Sequence, residues 1–487
     1  MKNPTVPPAV LRTLRRVFGL RRLRPGQERV ICRVLAGQDT LAVMPTGAGK
    51  SLCYQLPSLH LKGTTVVVSP LIALMKDQAE RLEDAGISAE QMHSAQPQRH
   101  QDAAMSRIAD ERSDVVLATP ERLADEAFLA TLQRQRISLV VVDEAHCISR
   151  WGHDFRPAFL EIGAALRALG NPPVLGLTAT ATEDVIEDIR RQLGRPAMEV
   201  VQTSMYRPNL RLQVAQCVRE DEKLDRLLAA LRKAEGKGIV YCTTVKTCEA
   251  LHRQLEEAGE SVALYHGRLR AAERHASQDR FMSGQARVMV ATNAFGMGID
   301  KPDIRFVLHY QLPSSLEDYY HEAGRAGRDG APADCALLFW RRDKHVQQFF
   351  LAQRRSARQR IEGADDDKAE RDREALERMV FYAQTGFCRW RVLLEHFEQQ
   401  TAFADFRCGH CDNCMRPPVI EEEPEKSTLE ASAAPRWQPG AQVIVPRYGR
   451  GEVLQATADE AEVRFPDGST RRFVARYVRD ADGRPAA

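Results

Sequence analysis

Ten short apolar runs, in two sets of five, constrain this chain more than any other feature. The first set is TLAVM (40–44), TTVVVSP (64–70), DVVLATP (114–120), SLVVVDE (138–144) and PVLGLTAT (173–180). The second is KGIVYCTT (237–244), SVALYHG (261–267), ARVMVATN (286–293), IRFVLHYQLP (304–313) and DCALLFW (334–340). Near-continuous Val and Leu is the pattern of strands buried on both faces. Helical stretches separate the runs, and that alternation builds a parallel sheet covered on both sides. The expected fold is α/β, with two parallel sheets of one type in tandem. Such sheets bind ligands at the carboxyl ends of their strands, so the residues after each run are where chemistry belongs.

The first run is followed by MPTGAGKS (44–51). Thr40-Leu41-Ala42-Val43 reads as a strand, and Lys50 to Leu61 as a helix interrupted by Pro57. A Gly-rich turn between strand and helix can aim backbone N–H groups at phosphate oxygens, with Lys50 adding a cation. The cradle is Met44, Pro45, Thr46, Gly47, Ala48, Gly49, Lys50 and Ser51. The strict pattern opens with Gly where this chain has Met44, so the segment alone also fits a turn without a ligand. VVVDEAHCIS (140–149) supplies the complement, a buried strand ending in Asp143 and Glu144. A nucleoside triphosphate needs a cradle and a cation on one side, and carboxylates to hold the metal and orient a water on the other.

The second set lacks a cradle and carries ATNAFGMGIDKPD (291–303) and YYHEAGRAGRDG (319–330) instead. Two sheets of one type with a single cradle suggest a shared cleft, completed from the second sheet. Arg325 and Arg328, three residues apart, share one side of a helix or turn. An arginine brought to the γ-phosphate can neutralise charge developing in the transition state. Pairing with surface carboxylates is the plainer use of the same residues.

The 487 residues suffice for three or more domains with ample cores. No apolar run approaches the roughly 18 residues of a membrane helix, and the start MKNPTVPPAVLRTLRR has neither an apolar core nor a cleavage site. No membrane role is expected, and a cytoplasmic location (bacterial-type cytosol or nucleoid) follows. The net charge of +3 places any nucleic-acid role on local patches. Residues 1–24 hold Lys2, Arg12, Arg15, Arg16, Arg21, Arg22 and Arg24 with no acid, although a solvated helix face accounts for them equally well. Of eleven cysteines, seven are scattered and read as small core residues. Cys388, Cys408, Cys411 and Cys414 cluster as C-x19-C-x2-C-x2-C. Four thiolates suit tetrahedral zinc in a closed, structural site. His410, between the ligands, is the alternative donor.

Residues 352–378 are heavily charged and read as a solvated helical connector, followed by the amphipathic FCRWRVLLEHF (387–397). Residues 419–436 are acidic and rich in Ala, Ser and Pro, a flexible linker. The segment from Trp437 to about 481 is β in pattern, with Pro466-Asp467-Gly468 marking a hairpin. It is long enough only for a small barrel.

Taken in order, these motifs resemble those of the RecQ-family DNA helicases from about residue 10 to 418. The likeness rests on FGLRRLRPGQE (18–28), MPTGAGKS, SPLIALMKDQ (69–78), ATPERL (118–123), DEAHCISRWGHDFRPAF (143–159), LTATAT (177–182), YRPNL (206–210), YHGRL (265–269), ATNAFGMGIDKPDIR (291–305), YYHEAGRAGRDG and the cysteine cluster. It implies two RecA-like domains (1–205, binding ATP, and 206–345) and a helical zinc-binding subdomain (346–418); the linker (419–436) and the small barrel (437–481), SH3- or Tudor-like in pattern, lie beyond the likeness. It implies that Arg24 and Gln27 hydrogen-bond adenine, that Lys50 contacts the β- and γ-phosphates, and that Ser51 ligates Mg²⁺. Asp143 would hold the metal through water and Glu144 would be the general base. Arg328 would reach the γ-phosphate with Arg325 beside it, and Gly298 and Asp300 would complete the nucleotide site. His146 and the loop Trp151–Arg156 would sense single-stranded DNA, with Trp151 and Phe155 offering π-faces to bases and Arg156 closing the loop. Thr119, Thr178, Thr180, Asn209 and Thr292, near strand ends, could donate to the strand's phosphates. Movement from 3′ to 5′ on single-stranded and tailed duplex DNA, in repair and recombination, is the implied activity.

Three departures qualify the likeness. His321 stands where the family usually has Gln, and Leu23 where it usually has Phe. The segment between Cys414 and Trp437 is too short for the winged helix that usually grips the duplex, and no helicase-and-RNase-D C-terminal domain follows. Translocation on single strands is therefore expected more firmly than vigorous unwinding. The barrel resembles the module ending UvrD-type helicases, through PRYGRG (446–451) and VRFPDG (463–468). That implies a docking site for RNA polymerase or a repair factor, or nucleic-acid contact through Arg447, Arg450, Arg471 and Arg472. An RNA helicase, and an adaptor whose ATPase only sets conformation, are the competing functions.

Overall fold

The computed structural model describes residues 5–110, 112–149, 155–296, 301–359, 366–398, 403, 405–415, 437–445, 449–457, 460–466, 470–474 and 478–481. It divides into two units, Met1–Pro417 and Pro418–Ala487.

The first unit holds two parallel sheets. Lobe 1 has β1 (Thr40–Val43), β2 (Thr64–Val68), β3 (Ala89–Met92), β4 (Val115–Ala118), β5 (Ile137–Val142), β6 (Val174–Thr178) and β7 (Glu199–Gln202), in the order β3-β4-β2-β5-β6-β1-β7. Lobe 2 has β8 (Leu210–Cys217), β9 (Lys237–Tyr241), β10 (Val262–Tyr265), β11 (Val288–Ala291), β12 (Ile304–His309) and β13 (Ala333–Trp340), in the order β10-β11-β9-β12-β13-β8. Every pairing in both sheets is parallel. Each Val/Leu run is a strand. β1, β2 and β4 are buried along their whole length, and each lobe carries one apolar cluster on either face of its sheet.

Three strands lie outside the apolar runs, namely β3 (AEQM), β7 (EVVQ) and β8 (LRLQVAQC). All three are edge strands. An edge strand is partly wet and need not be apolar on both faces. Because β1 lies next to β6, and β5 beside that, the loops after β1, β5 and β6 converge at one end of the sheet.

Residues 203–209 join β7 to β8 and so form the hinge between the lobes. Helices Asp343–Gln359, Asp366–Gln384 and Arg389–Glu398 follow β13; Leu351 of the first packs against the apolar cluster of lobe 2, and the other two enter it through Leu376, Met379, Tyr382, Trp390, Leu393 and Phe397. In the N-terminal helix Pro8–Arg16, Val10 and Leu14 are buried while Arg12, Arg15 and Arg16 are exposed. No helix among the described residues is long and apolar enough to cross a membrane.

The second unit is an antiparallel sheet of β14 (Gln442–Val445), β15 (Gly449–Ala456), β16 (Glu460–Arg464), β17 (Thr470–Val474) and β18 (Arg479–Asp480), in the order β17-β16-β15-β14-β18. Its core is Trp437, Val443, Val445, Val453, Ala461, Val463, Phe465 and Val478. Trp437 Nε1 donates to Asp480 Oδ1 at 2.9 Å and so ties the two ends of the module together.

Candidate active site and its coupling network

The loop after β1 turns on Gly47 (φ +82°) and Gly49 (φ +77°), a left-handed conformation that costs other residues about 1 kcal/mol or more. Met44 takes the place of the pattern's first Gly because its side chain is fully buried in the core while its backbone N–H donates to Thr178 O at 3.0 Å. Lys50 Nζ donates to Met44 O at 3.2 Å, folding the lysine back over the loop. Burial pulls the ammonium below its ordinary range; Glu144 and Asp143 oppose that pull and Arg328 adds to it. Ser51 stands at the start of the helix Leu52–Ser58 without spending its hydroxyl on a capping bond. Pro45 O accepts from Ala48 N at 3.1 Å, which tightens the turn.

Arg24 and Gln27 are committed to the loop itself. The Gln27 amide donates to Ala48 O at 3.1 Å and Gly49 O at 2.9 Å, and its oxygen accepts from Arg24 N at 2.8 Å. The Arg24 guanidinium donates to Gly47 O. The expected adenine contacts thus begin from side chains that shape the phosphate cradle.

β5 delivers the acids. Glu144 adopts φ +50°, one of two non-glycine residues with positive φ among those described, and opens the short 3-10 turn Ala145–Ile148. Such a conformation costs of order 1–3 kcal/mol and aims the side chain away from the strand direction. Burial first, and Glu144 second, push the Asp143 carboxyl up to about 7 against the pull of Lys50. A buried Asp143 and a half-buried Glu144 near one ammonium lack positive charge. A divalent cation would supply it and stabilise charge on phosphate oxygens, and Asp143 with the Ser51 hydroxyl are the residues expected to hold it.

Lobe 2 closes over this loop. A Cβ on Gly47 would stand 3.4 Å from Arg328 Cγ and 3.5 Å from Arg328 Cα, and a Cβ on Gly324 would stand 3.2 Å from Thr46 Cβ. The GRAGR segment of one sheet therefore lies against the phosphate loop of the other. The two arginines differ in placement. Arg328 sits at Gly47 within electrostatic reach of Lys50. Arg325 is buried and donates to Gly296 O in its own lobe. Gly298 and Asp300 lie outside the described residues.

A polar chain leads from the acids across the cleft. His146 Nδ1 lies 3.4 Å from Glu144 Oε2 and 3.0 Å from Thr178 Oγ1. The Thr178 hydroxyl donates to Thr180 O at 2.9 Å, so His146 Nδ1 is the donor in their bond. Thr180 Oγ1 lies 3.4 Å from His321 Nε2, and the His146 and His321 rings are 5.5 Å apart. His321, on the helix Leu316–Ala323, thus reaches the segment just after β6 of lobe 1.

Several residues expected on a DNA strand spend their polar groups inside the protein. Thr178 is fully buried in the chain just described. Thr119 caps the helix Pro120–Leu123 through Arg122 N at 3.4 Å. Thr292 Oγ1 accepts from Ala294 N at 3.4 Å. Asn209 Nδ2 donates to Gly327 O and Ala331 O, both at 2.9 Å. Of the aromatic loop, Trp151 lies outside the described residues. The Lys368 ammonium stands 5.5 Å from the centre of the Phe155 ring, and Arg156 Nη1 donates to Pro70 O at 3.0 Å.

The four cysteine sulfurs lie within 4.8 Å of one another, with Cys408 Sγ to Cys414 Sγ at 3.9 Å and Cys411 Sγ to Cys388 Sγ at 4.0 Å. Four sulfurs about 2.3 Å from a tetrahedral zinc stand about 3.8 Å apart, so the set fits Zn²⁺ in a closed structural site. Cys408 N and Cys411 N donate to Cys388 Sγ and Cys408 Sγ, each at 3.3 Å. His410 is not part of this set. Its Nδ1 meets Cys408 O at 2.8 Å and its Nε2 meets Leu210 O at 3.2 Å, bridging the knuckle to β8. Arg389 makes a two-point pair with Asp412, both bonds at 2.9 Å.

A phosphate loop with paired acids on one parallel sheet, met by an arginine segment from a second, defines a two-lobed ATPase of the helicase class. Comparisons agree. Residues 24–189 match the DEAD/DEAH box helicase model, 220–330 the helicase conserved C-terminal domain and 341–415 the RecQ zinc-binding model. The chain is 39% identical over 443 residues to the ATP-dependent DNA helicase RecQ of Bacillus subtilis, covering 91% of this chain and 71% of that protein. It is 37% identical to RecQ of Haemophilus influenzae, covering 84% of this chain and 64% of that protein, and 38% identical to the probable helicase RecS of B. subtilis, covering 80% and 79%. The fold is shared with the Mycobacterium smegmatis helicase Lhr bound to single-stranded DNA and AMP-PNP (TM-score 0.57, 22% identity, 70% of this chain and 49% of that one). It is also shared with Saccharomyces cerevisiae Dbp5 bound to RNA and ADP BeF3 (TM-score 0.55, 20% identity, 76% and 97%).

The chain belongs to the RecQ family of ATP-dependent DNA helicases. Zinc and Mg²⁺ with ATP are its expected metals, and the RNA-helicase alternative loses ground to the RecQ relatives and the matched zinc module.

Proposed function

We propose that this protein uses ATP hydrolysis to move 3′ to 5′ along single-stranded DNA and to separate duplexes bearing a 3′ tail, in the service of repair and recombination. The carrying observation is the approach of Arg328 to Gly47 across the lobes. ATP held by Lys50 would span the two walls, and Ser51 and Asp143 would hold Mg²⁺, which would neutralise charge on the phosphates; Glu144 orients and deprotonates the attacking water; Arg328 meets charge developing on the terminal phosphate. Hydrolysis removes the bridge and lets the lobes part. If each lobe grips the strand backbone, alternating closure ratchets the protein along it. The chain from Glu144 through His146, Thr178 and Thr180 to His321 offers a route by which closure and chemistry inform each other.

The proposal includes a cytoplasmic setting, where reduced thiols keep the cysteine cluster fit for metal. It also includes, as a separable part, recruitment of a protein partner such as RNA polymerase or a repair factor by the C-terminal barrel. Of the barrel's arginines, Arg447 and the side chains of Arg471 and Arg472 lie outside the described residues, and Arg450 is exposed.

Strand displacement on 3′-tailed and 5′-tailed duplexes tests both parts, with the full chain and with the chain ending at residue 417. ATP-dependent opening of the 3′-tailed substrate by both forms is the expected result. Turnover of ATP without displacement of either substrate would favour the adaptor reading, and stronger stimulation by RNA than by DNA of equal length would overturn the substrate.

A further inference from the structure

The hinge segment 203–209 carries an arginine that the catalytic scheme leaves without a task. Arg207 is buried, yet among the described residues no carboxylate is bonded to it. Asp329, an acid close enough to act on its charge, is paired with Arg305. Burying a cation without an acid is costly unless its donors are satisfied. Here the donors are spent on one stretch of backbone. Nη1 donates to Gly324 O at 2.6 Å; Nη2 donates to Ala326 O at 2.8 Å and to Gly327 O at 2.6 Å. Asn209, two residues on, donates to Gly327 O and Ala331 O. Three carbonyls of GRAGR thus turn inward onto a single guanidinium.

That convergence fixes the curvature of the loop. Gly327 adopts φ +54°, and a Cβ there would stand 2.5 Å from Asn209 Nδ2, so this glycine makes room for the Asn209 side chain. With the carbonyls held inward, the Arg328 side chain is left to face Gly47. The same hinge is held from two further sides. Tyr320 Oη donates to Met205 O at 2.8 Å, and Glu398, on the last helix before the cysteine knuckle, accepts from Met205 N at 2.7 Å and Ser204 Oγ at 3.1 Å. Tyr206 packs edge-on against Trp390 (5.2 Å) and Phe406 (5.3 Å) of the zinc module.

We propose that Arg207 is the positioning residue for the Arg328 loop, linking the set of the interlobe hinge to the placement of the arginine at the terminal phosphate. This rests on the reading that Arg328 completes the ATP site. A misplacement of about 1 Å in a catalytic group costs on the order of 100-fold in rate. Lysine in place of Arg207 keeps the buried charge but cannot reach three carbonyls in one plane.

The test is a double-mutant cycle on single-turnover ATP hydrolysis at saturating single-stranded DNA, with Arg207→Lys, Arg328→Ala and both together. Arg207→Lys is expected to slow hydrolysis about 30- to 100-fold, to change affinity for a non-hydrolysable ATP analogue less than about threefold, and to weaken ADP–aluminium fluoride by the same factor as the rate. The double variant should be no slower than Arg328→Ala alone, because a misplaced arginine that has been deleted costs nothing more. Zinc content and melting temperature establish folding, and Asn209→Ala, which removes only two of the loop's bonds, gives a milder second variant whose smaller loss should also vanish in the Arg328→Ala background. If Arg328→Ala slows hydrolysis but Arg207→Lys does not, or if the two losses multiply, Arg207 is a hinge brace only. If Arg328→Ala leaves hydrolysis unchanged, the reading of the ATP site itself is wrong.

Discussion

The two lobes are built on the same plan and hold their active parts in opposite ways. In lobe 1 the functional groups come from contiguous stretches, MPTGAGKS and DEAH, and the local backbone shapes them through Gly47, Gly49 and the left-handed Glu144. In lobe 2 the functional segment GRAGR is held by side chains far away in sequence, Arg207 and Asn209. One lobe carries a site formed by its own loop and by Arg24 and Gln27 of the same lobe. The other carries an arm whose pose depends on the hinge, and through the hinge on the zinc module. A motor needs that asymmetry, because the part that must come and go should answer to the conformational state.

The comparison can be broken first at lobe 1. Lys50→Ala removes the cation from a cradle the backbone still forms. ATP turnover should fall by about 10³-fold or more, while single-strand binding, measured by fluorescence anisotropy, persists. Loss of both together would mean that the lysine supports the fold.

The next largest effect is expected where lobe 2 depends on the zinc module. Cys411→Ala should release the metal, and structural zinc is worth several kcal/mol of folding free energy, up to about 10–16 in small fingers. Zinc measured by atomic absorption should drop to background. Hydrogen exchange at Ser204 and Met205 should speed up as Glu398 lets go. Full zinc loss with unchanged protection there would uncouple the module from the hinge.

A smaller effect sharpens the electrostatics of lobe 1. The Asp143 carboxyl ionises near pH 3.8 when unfolded and near 7 when folded. The folded state therefore holds an extra proton between those values, so stability falls as pH rises through that window and levels off above it. Asp143→Asn should remove this slope, gaining on the order of 2 kcal/mol relative to the parent between pH 5 and pH 8 in urea titrations. Binding of Mg²⁺ with ATP must expel the same proton, so affinity for the complex should weaken below pH 7 in the parent. A parent protein with no such pH dependence would place the Asp143 proton elsewhere.

The smallest change is expected at the cross-lobe contact. His321→Gln retains a polar partner for Thr180 and should alter turnover less than about threefold, whereas His321→Ala, which abandons the bond, should cost about tenfold at most. Equal losses in both would argue that the imidazole itself matters.

Much of this was legible in the chain. Strands buried on both faces must be apolar throughout, which is why ten runs sufficed to announce two parallel sheets. β3, β7 and β8 escaped because edge strands owe no such debt to burial. The cradle, the acids and the cysteine knuckle were legible because their parts are neighbours in sequence. Arg207 was not. YRPNL stood out as a motif, but a buried arginine bonded to carbonyls more than a hundred residues away leaves no local pattern. Asn209 was expected at DNA, and only the folded chain reveals that its amide holds Gly327. Likewise nothing in the local sequence shows that Gln27 and Arg24, expected at adenine, also bond the carbonyls of the phosphate loop.

The central claim is that ATP is hydrolysed in a seam that exists only when Arg328 meets the phosphate loop. The direct measurement is the single-turnover rate of Arg328→Ala at saturating ATP and single-stranded DNA. A fall of about 10³-fold with nucleotide affinity held within about threefold is the predicted result. A rate within threefold of the parent protein would contradict the account.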